Sequence, residues 1–317
     1  MKKILVTSKV YEHSFDTLKK DYEVIIPEKD NFSNDELIER IHDCDALLSM
    51  FTVKIGRDIL SAAPKLKIVS NYGVGFNNVD IAYATEHNIV VTNTPDPVTE
   101  PTAELAMGLM SALCRNIITL DNDIRIADKL RWGLMQNISS TMIGKTLGII
   151  GFGRIGRALA RRAEAACMKI VYHSRHRLDP TIEQQYHAQY LPMDELLKVS
   201  DFVSLHTPLT DQTRHLIDKE QLMMMKPTAY IINTSRGPVI NEHVLAECLH
   251  EGKIAGAGID VFEKEPAIDP LLLTAKNAIL LPHVGTATRE TREETAVVAC
   301  NNIINFFNDE GIIFKVN

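Results

Sequence analysis

Short apolar runs alternate with segments of helical spacing along most of the chain. In the N-terminal part these runs lie at 3–7, 22–26, 46–49, 66–70 and 89–92. In the second half they lie at 147–150, 169–173, 202–205, 229–232, 254–261 and 279–281. Runs this short are typical of buried strands, and the segments at 194–199, 241–250 and 289–307 have the spacing of amphipathic helices. Strands that alternate with helices form parallel sheets, so the pattern predicts an α/β protein with two doubly wound sheets.

A proline-rich break predicts how these two sheets are divided between domains. Pro95 and Pro97 end the fifth run, because proline cannot continue a strand ladder. The residues at 102–120 then form an apolar segment with helical spacing. We expect a Rossmann nucleotide-binding domain at 98–288, inserted into a flavodoxin-like substrate domain made of 1–97 and 289–317.

Three glycines stand between a predicted strand and a predicted helix. Their G-x-G-x-x-G spacing is common by chance, but the strand at 147–150 and the Ala/Arg-rich segment at 157–166 give it the context of a dinucleotide-binding turn. In such a turn Gly151 permits the bend, Gly153 lets the backbone approach a pyrophosphate, and Gly156 lets the helix pack close to the strand. We therefore predict a dinucleotide with its pyrophosphate at the helix N-terminus, the alternative being a purely structural glycine turn.

The end of the next predicted strand lacks the acidic residue that NAD-binding sheets place there. A carboxylate about twenty residues after the glycines normally accepts hydrogen bonds from the adenosine ribose. Here the corresponding residue is Ser174, and Arg175 follows it. A hydroxyl beside a guanidinium suits a 2′-phosphate, which a carboxylate would repel. The sequence predicts that NADP(H) is preferred and NAD(H) possible; the alternative is that the arginines here are merely solvated.

Polar side chains follow several strands of the second sheet, at the edge where α/β proteins bind ligands. Arg236 comes directly after a buried strand, in a position suited to clamping a carboxylate. Asp260 ends the next strand, Glu263 and Glu265 lie beyond it, and His283 follows the last strand. A carboxylate orients a neighbouring imidazole and stabilises its charged form. Among eleven histidines, His283 is therefore the leading candidate for a proton donor to a carbonyl group.

In the first sheet, two glycines follow the fourth run, in the segment 71–76. Backbone N–H groups in such a turn can bind a small anion, although a simple tight turn is the alternative. The residues at 49–52, on the loop predicted after the third run, include Met50 and Phe51. These two side chains suggest an apolar wall for a substrate pocket.

The chain resembles the D-isomer-specific 2-hydroxyacid dehydrogenase family over essentially its whole length. The resemblance rests on the glycine stretch and on three segments that follow it in this order: NTSRGPVIN at 233–241, GAGIDVFEKEP at 256–266 and LPHVGT at 281–286. In this family, NADPH-using glyoxylate and hydroxypyruvate reductases tolerate a residue such as Ser174 in place of the ribose-binding acid. The resemblance therefore agrees with the charge argument for NADP(H).

The resemblance also implies a role for each candidate side chain. Arg236 would bind and polarise a 2-oxo acid, His283 would be the acid/base, and Glu265 would pair with His283, the acid two residues earlier being a bystander. The backbone at Val74 and Gly75 would bind the substrate carboxylate. The residues implied to line the cofactor are Thr102, Arg154, Ile155, His206, Pro208, Thr213, Thr234 and Asp260, the last of which would reach the nicotinamide amide.

The implied activity is reduction of a small 2-oxo acid, of the glyoxylate or hydroxypyruvate type, to the D-2-hydroxy acid. The chain ends at Asn317 without the regulatory extension of many phosphoglycerate dehydrogenases of the family, which makes a role in serine synthesis less favoured. One alternative is a dehydrogenase for a bulkier 2-oxo acid or a sugar acid of the 2-ketogluconate type. Another is a cofactor-regulated binding protein, like the transcriptional corepressors of the family.

Charge and cysteine content narrow the choice of partners. A net charge of −7 does not favour binding to nucleic acid or to an anionic membrane. No apolar run is long enough for a signal sequence or a membrane span, so a cytoplasmic location is expected. Five scattered cysteines predict neither a disulfide framework nor a metal site. The family resemblance suggests a homodimer in which Trp132 reaches the neighbouring subunit, simple packing of Trp132 being the alternative.

Overall fold

Two parallel β-sheets organise the part of the chain that the computed structural model describes, residues 1–126, 130–312 and 314–317. Over these residues the strands are β1 (Lys3–Val6), β2 (Glu23–Ile25), β3 (Ala46–Met50), β4 (Ile68–Tyr72), β5 (Val90–Thr92), β6 (Thr146–Ile150), β7 (Lys169–His173), β8 (Ala188–Tyr190), β9 (Phe202–Leu205), β10 (Tyr230–Asn233), β11 (Gly256–Ile259) and β12 (Ala278–Leu280). The α-helices are α1 (Asp16–Lys19), α2 (Asn34–Ile41), α3 (Arg57–Ser61), α4 (Ile81–Glu86), α5 (Thr99–Cys114), α6 (Ile117–Arg125), α7 (Arg154–Ala165), α8 (Pro180–Gln185), α9 (Met193–Val199), α10 (Lys219–Met224), α11 (Glu242–His250) and α12 (Arg289–Phe307). Short 3₁₀ helices lie at Glu12–Phe15, Gly237–Val239 and Leu272–Thr274.

Each sheet has the strand order of a doubly wound fold. The five-stranded sheet has the order β2-β1-β3-β4-β5, and the seven-stranded sheet has the order β12-β11-β10-β9-β6-β7-β8. Neighbouring strands are parallel throughout both sheets. The first order is flavodoxin-like, and the second reverses direction between β6 and β9, as in a Rossmann fold. The predicted fold class is confirmed.

The chain divides into two compact units. Unit 1 contains Met1–Val98 and Thr286–Asn317, and unit 2 contains Thr99–Gly285. The five-stranded sheet and α12 belong to unit 1, whereas the seven-stranded sheet and α5 to α11 belong to unit 2.

Both faces of the five-stranded sheet in unit 1 are buried, as is usual for parallel sheets. Because alternate residues of a strand face opposite sides, Leu5 and Val69 pack with residues of α2, α3 and α4 on one face. On the other face, Ile4 and Ile68 pack with residues of α12, including Ala299. The C-terminal helix is therefore part of the core of unit 1, although it is distant in sequence from the strands that it covers.

In unit 2, helix α5 packs directly on the seven-stranded sheet because β11 consists of small residues. A Cβ atom on Gly258 would lie 3.1 Å from the Cβ atom of Leu109. Ala106 and Leu109 of α5 belong to the same buried cluster as Leu147 of β6. Close helix packing therefore explains Gly258 without reference to a ligand, and at Gly256 a Cβ atom would lie 2.5 Å from the carbonyl oxygen of Asn277.

The helix expected at 102–120 is interrupted. Helix α5 ends at Cys114 and α6 begins at Ile117, and Asn116 between them has a φ of 52°, a left-handed conformation that stops a helix. Among the described residues, no single helix is long and apolar enough to cross a bilayer. The bent pair of α5 and α6, with an angle of 61° between them, meets the criteria of length and composition only when both helices are taken together.

Two strands differ from the predicted pattern, and one of them, β3, bears on the candidate pocket. The pattern misses β8, because three residues are too few to show a periodicity. Strand β3 extends to Met50, whose side chain lies in the buried cluster beneath α12. The prediction that Met50 contributes to an apolar pocket wall is therefore wrong. Phe51, directly after the strand, has the guanidinium of Arg292 over its ring at 5.5 Å.

Packing explains two of the three glycines in the turn between β6 and α7. Gly151 has a φ of +94°, and a Cβ atom there would lie 2.6 Å from the carbonyl oxygen of His206. A Cβ atom on Gly156 would collide with the carbonyl oxygen of Gly151, so the helix can approach the strand only with glycine at this position. Around Gly153, in contrast, no atom of the described residues, its two chain neighbours aside, lies within 4 Å of the Cβ position.

This difference predicts different effects of alanine at two of the glycines. We expect Gly156→Ala to lower the free energy of unfolding by about 1–3 kcal/mol, because the added methyl group overpacks a helix–strand contact. Gly153→Ala should cause a smaller loss, because its φ is negative and the space is open, so that only the preference of an N-cap for glycine over alanine is lost. Urea denaturation of both variants measures the difference, and equal destabilisation of the two would contradict this account of the turn.

Candidate active site

The carboxyl ends of the seven parallel strands open on one edge of the sheet in unit 2. The residues that follow these ends are Gly151 and Gly153 after β6, Ser174 and Arg175 after β7, His206 and Pro208 after β9, Thr234 and Arg236 after β10, Asp260 after β11, and His283 after β12. Arg154, Ile155 and Gly156 form the first turn of α7, and Thr102 lies in the first turn of α5. Parallel topology therefore brings most of the side chains chosen from the sequence to a single edge.

The surroundings of Gly153 fit a pyrophosphate. Gly153 is the N-cap of α7 and carries no side chain to accept a hydrogen bond from the first turn. The first N–H groups of a helix have no acceptor within the helix itself. An anion in the open space at Gly153 would satisfy these N–H groups and interact favourably with the helix dipole.

Three buried polar atoms at the ends of β9 and β10 have no hydrogen-bond partner among the described residues. They are Nδ1 of His206, Oγ1 of Thr207 and Oγ1 of Thr234. The other ring nitrogen of His206 lies 2.9 Å from the hydroxyl of Ser204, and burial lowers the pKa of His206 to about 4, so its ring is neutral near pH 7. Buried polar atoms are nearly always paired in native proteins. A polar ligand along this edge would satisfy them, and the residues present therefore fit a dinucleotide.

The loop after β7 is fixed by a partly buried acid. Glu183 accepts hydrogen bonds from Nε and Nη2 of Arg177, at 2.9 and 2.8 Å, and from the hydroxyl of Tyr172 at 2.7 Å. The hydrogen bonds from Arg177, and then that from Tyr172, lower the pKa of Glu183 to about 2. Arg177 is therefore committed to an internal partner.

Ser174 and Arg175 occupy the same loop with different surroundings. The hydroxyl oxygen of Ser174 accepts a hydrogen bond from the N–H group of Phe152 at 3.0 Å, which ties the loop to the glycine turn. Arg175 is exposed, and none of the described residues forms an ion pair with its guanidinium. The first cation after Ser174 is thus available to a ligand.

Local bonds account for one residue expected at the cofactor. The Thr213 hydroxyl donates to the carbonyl oxygen of Pro208 at 2.6 Å and accepts from the N–H group of Thr210 at 2.8 Å. Thr213 therefore closes the turn after β9, which is reason enough for a threonine at this position.

His283 and Glu265 form a hydrogen-bonded pair. Nδ1 of His283 lies 2.9 Å from Oε2 of Glu265, and Oε1 of Glu265 accepts from the N–H group of Phe262 at 3.0 Å. Burial alone would raise the pKa of Glu265, but the hydrogen bond and charge of His283 outweigh it and hold this pKa below its usual value. The carboxylate is therefore ionised at neutral pH, and it sets which nitrogen of the ring faces it.

Asp260 holds the turn that carries His283. Its main-chain oxygen accepts from the N–H group of His283 at 2.8 Å, and its carboxylate oxygens accept from the N–H groups of Val284 and Gly285, at 2.7 and 2.8 Å. Burial raises the pKa of Asp260, and the bonds from Val284 and Gly285 oppose that shift. His283 has a φ of 55°, a conformation that costs about 1–3 kcal/mol in a residue with a side chain. The three bonds to Asp260 maintain it.

Asn233 shapes the loop that carries Arg236. Its Oδ1 atom accepts from the N–H and hydroxyl groups of Ser235, at 3.0 and 2.8 Å, and its Nδ2 atom donates to the carbonyl oxygen of Arg236 at 3.0 Å. Burial lowers the pKa of Arg236 from its ordinary value, but a guanidinium remains charged at neutral pH. A Cβ atom on Gly237 would collide with the carbonyl group of Phe262, so glycine lets this loop pack against the backbone that leads to Glu265.

In unit 1, the loop after β4 has bonded carbonyl groups and unbonded N–H groups. The carbonyl oxygens of Gly73, Val74 and Gly75 accept, in that order, from Thr94 N at 3.1 Å, Asn93 Nδ2 at 2.8 Å and Asn71 Nδ2 at 2.8 Å. The N–H groups of Val74 and Gly75 donate to no described residue. Such a pair of N–H groups can bind a small anion.

Asn71 connects this loop to its surroundings, and sequence reasoning did not single it out. Its side chain is fully buried, and its Oδ1 atom accepts from the hydroxyl of Ser49 and from Nδ2 of Asn78, both at 3.0 Å. The one signal in the sequence is an amide inside an otherwise apolar strand, where a polar residue must find partners.

Glu263 pairs with His215 and not with His283. The distance between Oε1 of Glu263 and Nε2 of His215 is 2.7 Å, across 48 positions of sequence. The side chain of His215 is half-buried. No group of three or more histidine, cysteine, aspartate or glutamate side chains able to hold a metal ion occurs among the described residues.

Comparisons with known proteins identify relatives of this chain. The family model for the D-isomer specific 2-hydroxyacid dehydrogenase, NAD binding domain, matches residues 107–285. A glyoxylate reductase from Thermococcus onnurineus is 42% identical over 313 residues, which cover 97% of this chain and 93% of that protein.

Solved structures extend the similarity to three dimensions. A glyoxylate reductase from Paecilomyes thermophila is similar with a TM-score of 0.90 at 32% identity, over 99% of this chain and 98% of that one. An NADPH-dependent glyoxylate/hydroxypyruvate reductase from Sinorhizobium meliloti, in complex with NADP and malonate, is similar with a TM-score of 0.86 at 30% identity, over 99% and 96% of the two chains. The similarity covers both sheets and the segments that carry the candidate residues. The chain therefore belongs to the D-isomer-specific 2-hydroxyacid dehydrogenase family and is an NAD(P)-dependent enzyme.

Proposed function

We propose that this protein reduces a small 2-oxo acid, of the glyoxylate or hydroxypyruvate type, to the D-2-hydroxy acid, with NADPH as the preferred reductant. The observation that carries the proposal is the pair of His283 and Glu265, 2.9 Å apart. An imidazole held by an ionised carboxylate is a suitable general acid for a carbonyl group at neutral pH. The relatives named glyoxylate reductase support this class of substrate.

The proposed mechanism assigns a role to each of these residues. The nicotinamide, when bound, supplies the hydride. The N–H groups of Val74 and Gly75 bind the substrate carboxylate, and Arg236 binds the 2-oxo acid and polarises its carbonyl group. His283 then donates a proton to the developing alkoxide, while Glu265 orients the ring and stabilises its charged form.

The loop after β7 supports the preference for NADPH. Ser174 replaces the acid that would repel a 2′-phosphate, and Arg175 has no internal partner among the described residues, whereas Arg177 is committed to Glu183. The similar enzyme from Sinorhizobium meliloti is NADPH-dependent. The other contacts that line the cofactor in this proposal are those of Thr102, Arg154, Ile155, His206, Pro208, Thr213, Thr234 and Asp260.

An exposed apolar segment supports a homodimer. Unlike most of the described chain, the residues at 117–126 and 130–143 expose many large apolar side chains, including Trp132 at 93% and Leu134 at 96%. The alternative prediction, that Trp132 is packed within its own chain, is therefore wrong. Exposed apolar stretches of this kind mark interaction surfaces, and we propose that a second copy of the chain covers this one. A cytoplasmic location remains a prediction from the sequence.

Replacement of His283 tests the catalytic assignment. His283→Ala should lower kcat for glyoxylate reduction roughly 100- to 10,000-fold, the usual contribution of a general acid. In Glu265→Gln, the alkaline limb of the pH profile for reduction should move to lower pH, because a neutral amide stabilises a protonated imidazole less than a carboxylate does. His187→Ala, an exposed histidine of the same unit, is the control. Turnover of His283→Ala near that of the control would refute the assignment.

The cofactor preference is tested by kcat/KM with NADPH and with NADH. We expect the wild-type enzyme to favour NADPH by at least about tenfold, since a charged hydrogen bond contributes about 1.5–3 kcal/mol. Arg175→Ala should remove most of that preference, whereas Arg115→Ala, which removes the same charge elsewhere in unit 2, should keep it. A tenfold preference of the wild type for NADH would overturn the proposal.

The homodimer is tested by the molar mass in solution. The wild type should have twice the chain mass at micromolar concentration in sedimentation or light scattering. The double variant Trp132→Ser with Leu134→Ser should be largely monomeric, because it removes two exposed apolar side chains from the segment. Leu273→Ser, another exposed leucine, is the matched control and should stay dimeric. A monomeric wild type would show that no second copy covers this surface.

A further inference from the structure

Glu242 is a buried carboxylate that the proposed reaction does not use. It is the first residue of α11 and is 7% exposed. Buried carboxylates usually face a cation, yet no lysine, arginine or histidine of the described chain forms an ion pair with this one. Instead, its Oε2 atom accepts from the N–H group of Glu263 and its Oε1 atom from the N–H group of Asp269, both at 2.6 Å.

These two N–H groups lie on either side of Glu265 in the chain. Glu263 precedes it by two positions and Asp269 follows it by four. A single carboxylate bonded to both therefore fixes the two ends of the loop that carries Glu265. The helix N-terminus, capped by the side chain of Asn241, favours negative charge at Glu242 and so keeps it a double acceptor.

Other titratable groups hold the same two loop ends. Glu263 pairs with His215 at 2.7 Å and also accepts from the N–H group of Glu242 at 3.4 Å. Asp269 pairs with His243 at 3.0 Å. These four side chains belong to the loop, to α11 and to the segment before α10. Both ends of the loop are thus anchored to neighbouring elements. Within the loop the N–H group of Ala267 donates to the carbonyl oxygen of Lys264 at 2.9 Å, and Glu242 joins the two ends from outside the loop.

The position of Glu265 depends on the path of this loop. Its side chain is 37% exposed, so packing does little to fix it. One of its oxygens is bonded to the N–H group of Phe262 in the same loop, and the other reaches His283. A shift of the loop backbone would therefore change the distance between Glu265 and His283.

We propose that Glu242 is a positioning residue for the acid/base pair: by joining the N–H groups of Glu263 and Asp269, it holds Glu265 within hydrogen-bond distance of His283. The inference rests on the proposed function, in which Glu265 and His283 act as that pair. It adds a residue that contacts neither substrate nor cofactor and acts only through the loop.

Glu242→Gln is the direct test, because the amide keeps the shape but puts an N–H₂ group against one of the two donors. We expect kcat for glyoxylate reduction to fall roughly 10- to 100-fold, as for small misplacements of catalytic groups, with KM for NADPH unchanged. The alkaline limb of the pH profile should shift in the same direction as in Glu265→Gln. Glu251→Gln, an exposed glutamate just after α11, is the control.

A double-mutant cycle separates positioning from a general structural role. If Glu242 acts through Glu265, Glu242→Gln should lower kcat less than about twofold when Glu265→Gln is already present. An equal loss in both backgrounds would overturn the proposal, as would a lower melting temperature with an unchanged pH profile. Glu242→Asp, which retains the charge but shortens the reach to the two N–H groups, provides a second variant if Glu242→Gln does not fold.

NMR of the His283 imidazole keeps this test independent of the substrate. At a fixed pH the ring signals of His283 should move in Glu242→Gln, because a displaced Glu265 alters the hydrogen bond to Nδ1. This readout needs no turnover, so a change in the ring signals supports the positioning role even if glyoxylate proves not to be a substrate. Unchanged ring signals would overturn it.

Discussion

The parallel arrangement of the strands is the constraint on which the rest of unit 2 depends. Because the connection between successive strands returns the chain to the opposite end of the sheet, every carboxyl end opens on the same edge. Residues as distant in sequence as Gly151 and His283 therefore come to that edge without any direct bond between them. Local hydrogen bonds then only have to shape each loop, as Asn233 does for Arg236 and Asp260 does for His283.

Three carboxylates near this edge have two different roles. Asp260 and Glu242 are buried and accept from backbone N–H groups, so their charge is compensated by dipoles that cannot move. Glu265 is partly exposed and faces a titratable ring. Asp260 and Glu242 maintain the geometry of their loops. Glu265 is the acid whose electrostatic energy changes when His283 gains or loses a proton. Burial and the type of donor, more than the residue type, separate the two roles.

The fold and much of the candidate site could be predicted because they follow from periodicity and from strand ends. Short apolar runs indicated the parallel sheets, and His283 stands directly after the last of them. The remainder depends on contacts that no local pattern records. Glu242 looks like an ordinary acid in the first turn of a helix, and only the return of the chain at Glu263 and Asp269 gives it a role. The left-handed Asn116, which divides a long apolar segment into two helices, has no unambiguous signal in its neighbours.

The loop after β4 in unit 1 has a thermodynamic consequence. Its three carbonyl groups are bonded to Thr94, Asn93 and Asn71 of the same chain, so these bonds set the orientation of the N–H groups at Val74 and Gly75 when the chain folds. Binding of an anion there requires little ordering of the backbone, and the associated loss of conformational entropy is small. In the proposed function, affinity for a carboxylate at this loop is then governed by desolvation of the anion and not by rearrangement of the protein.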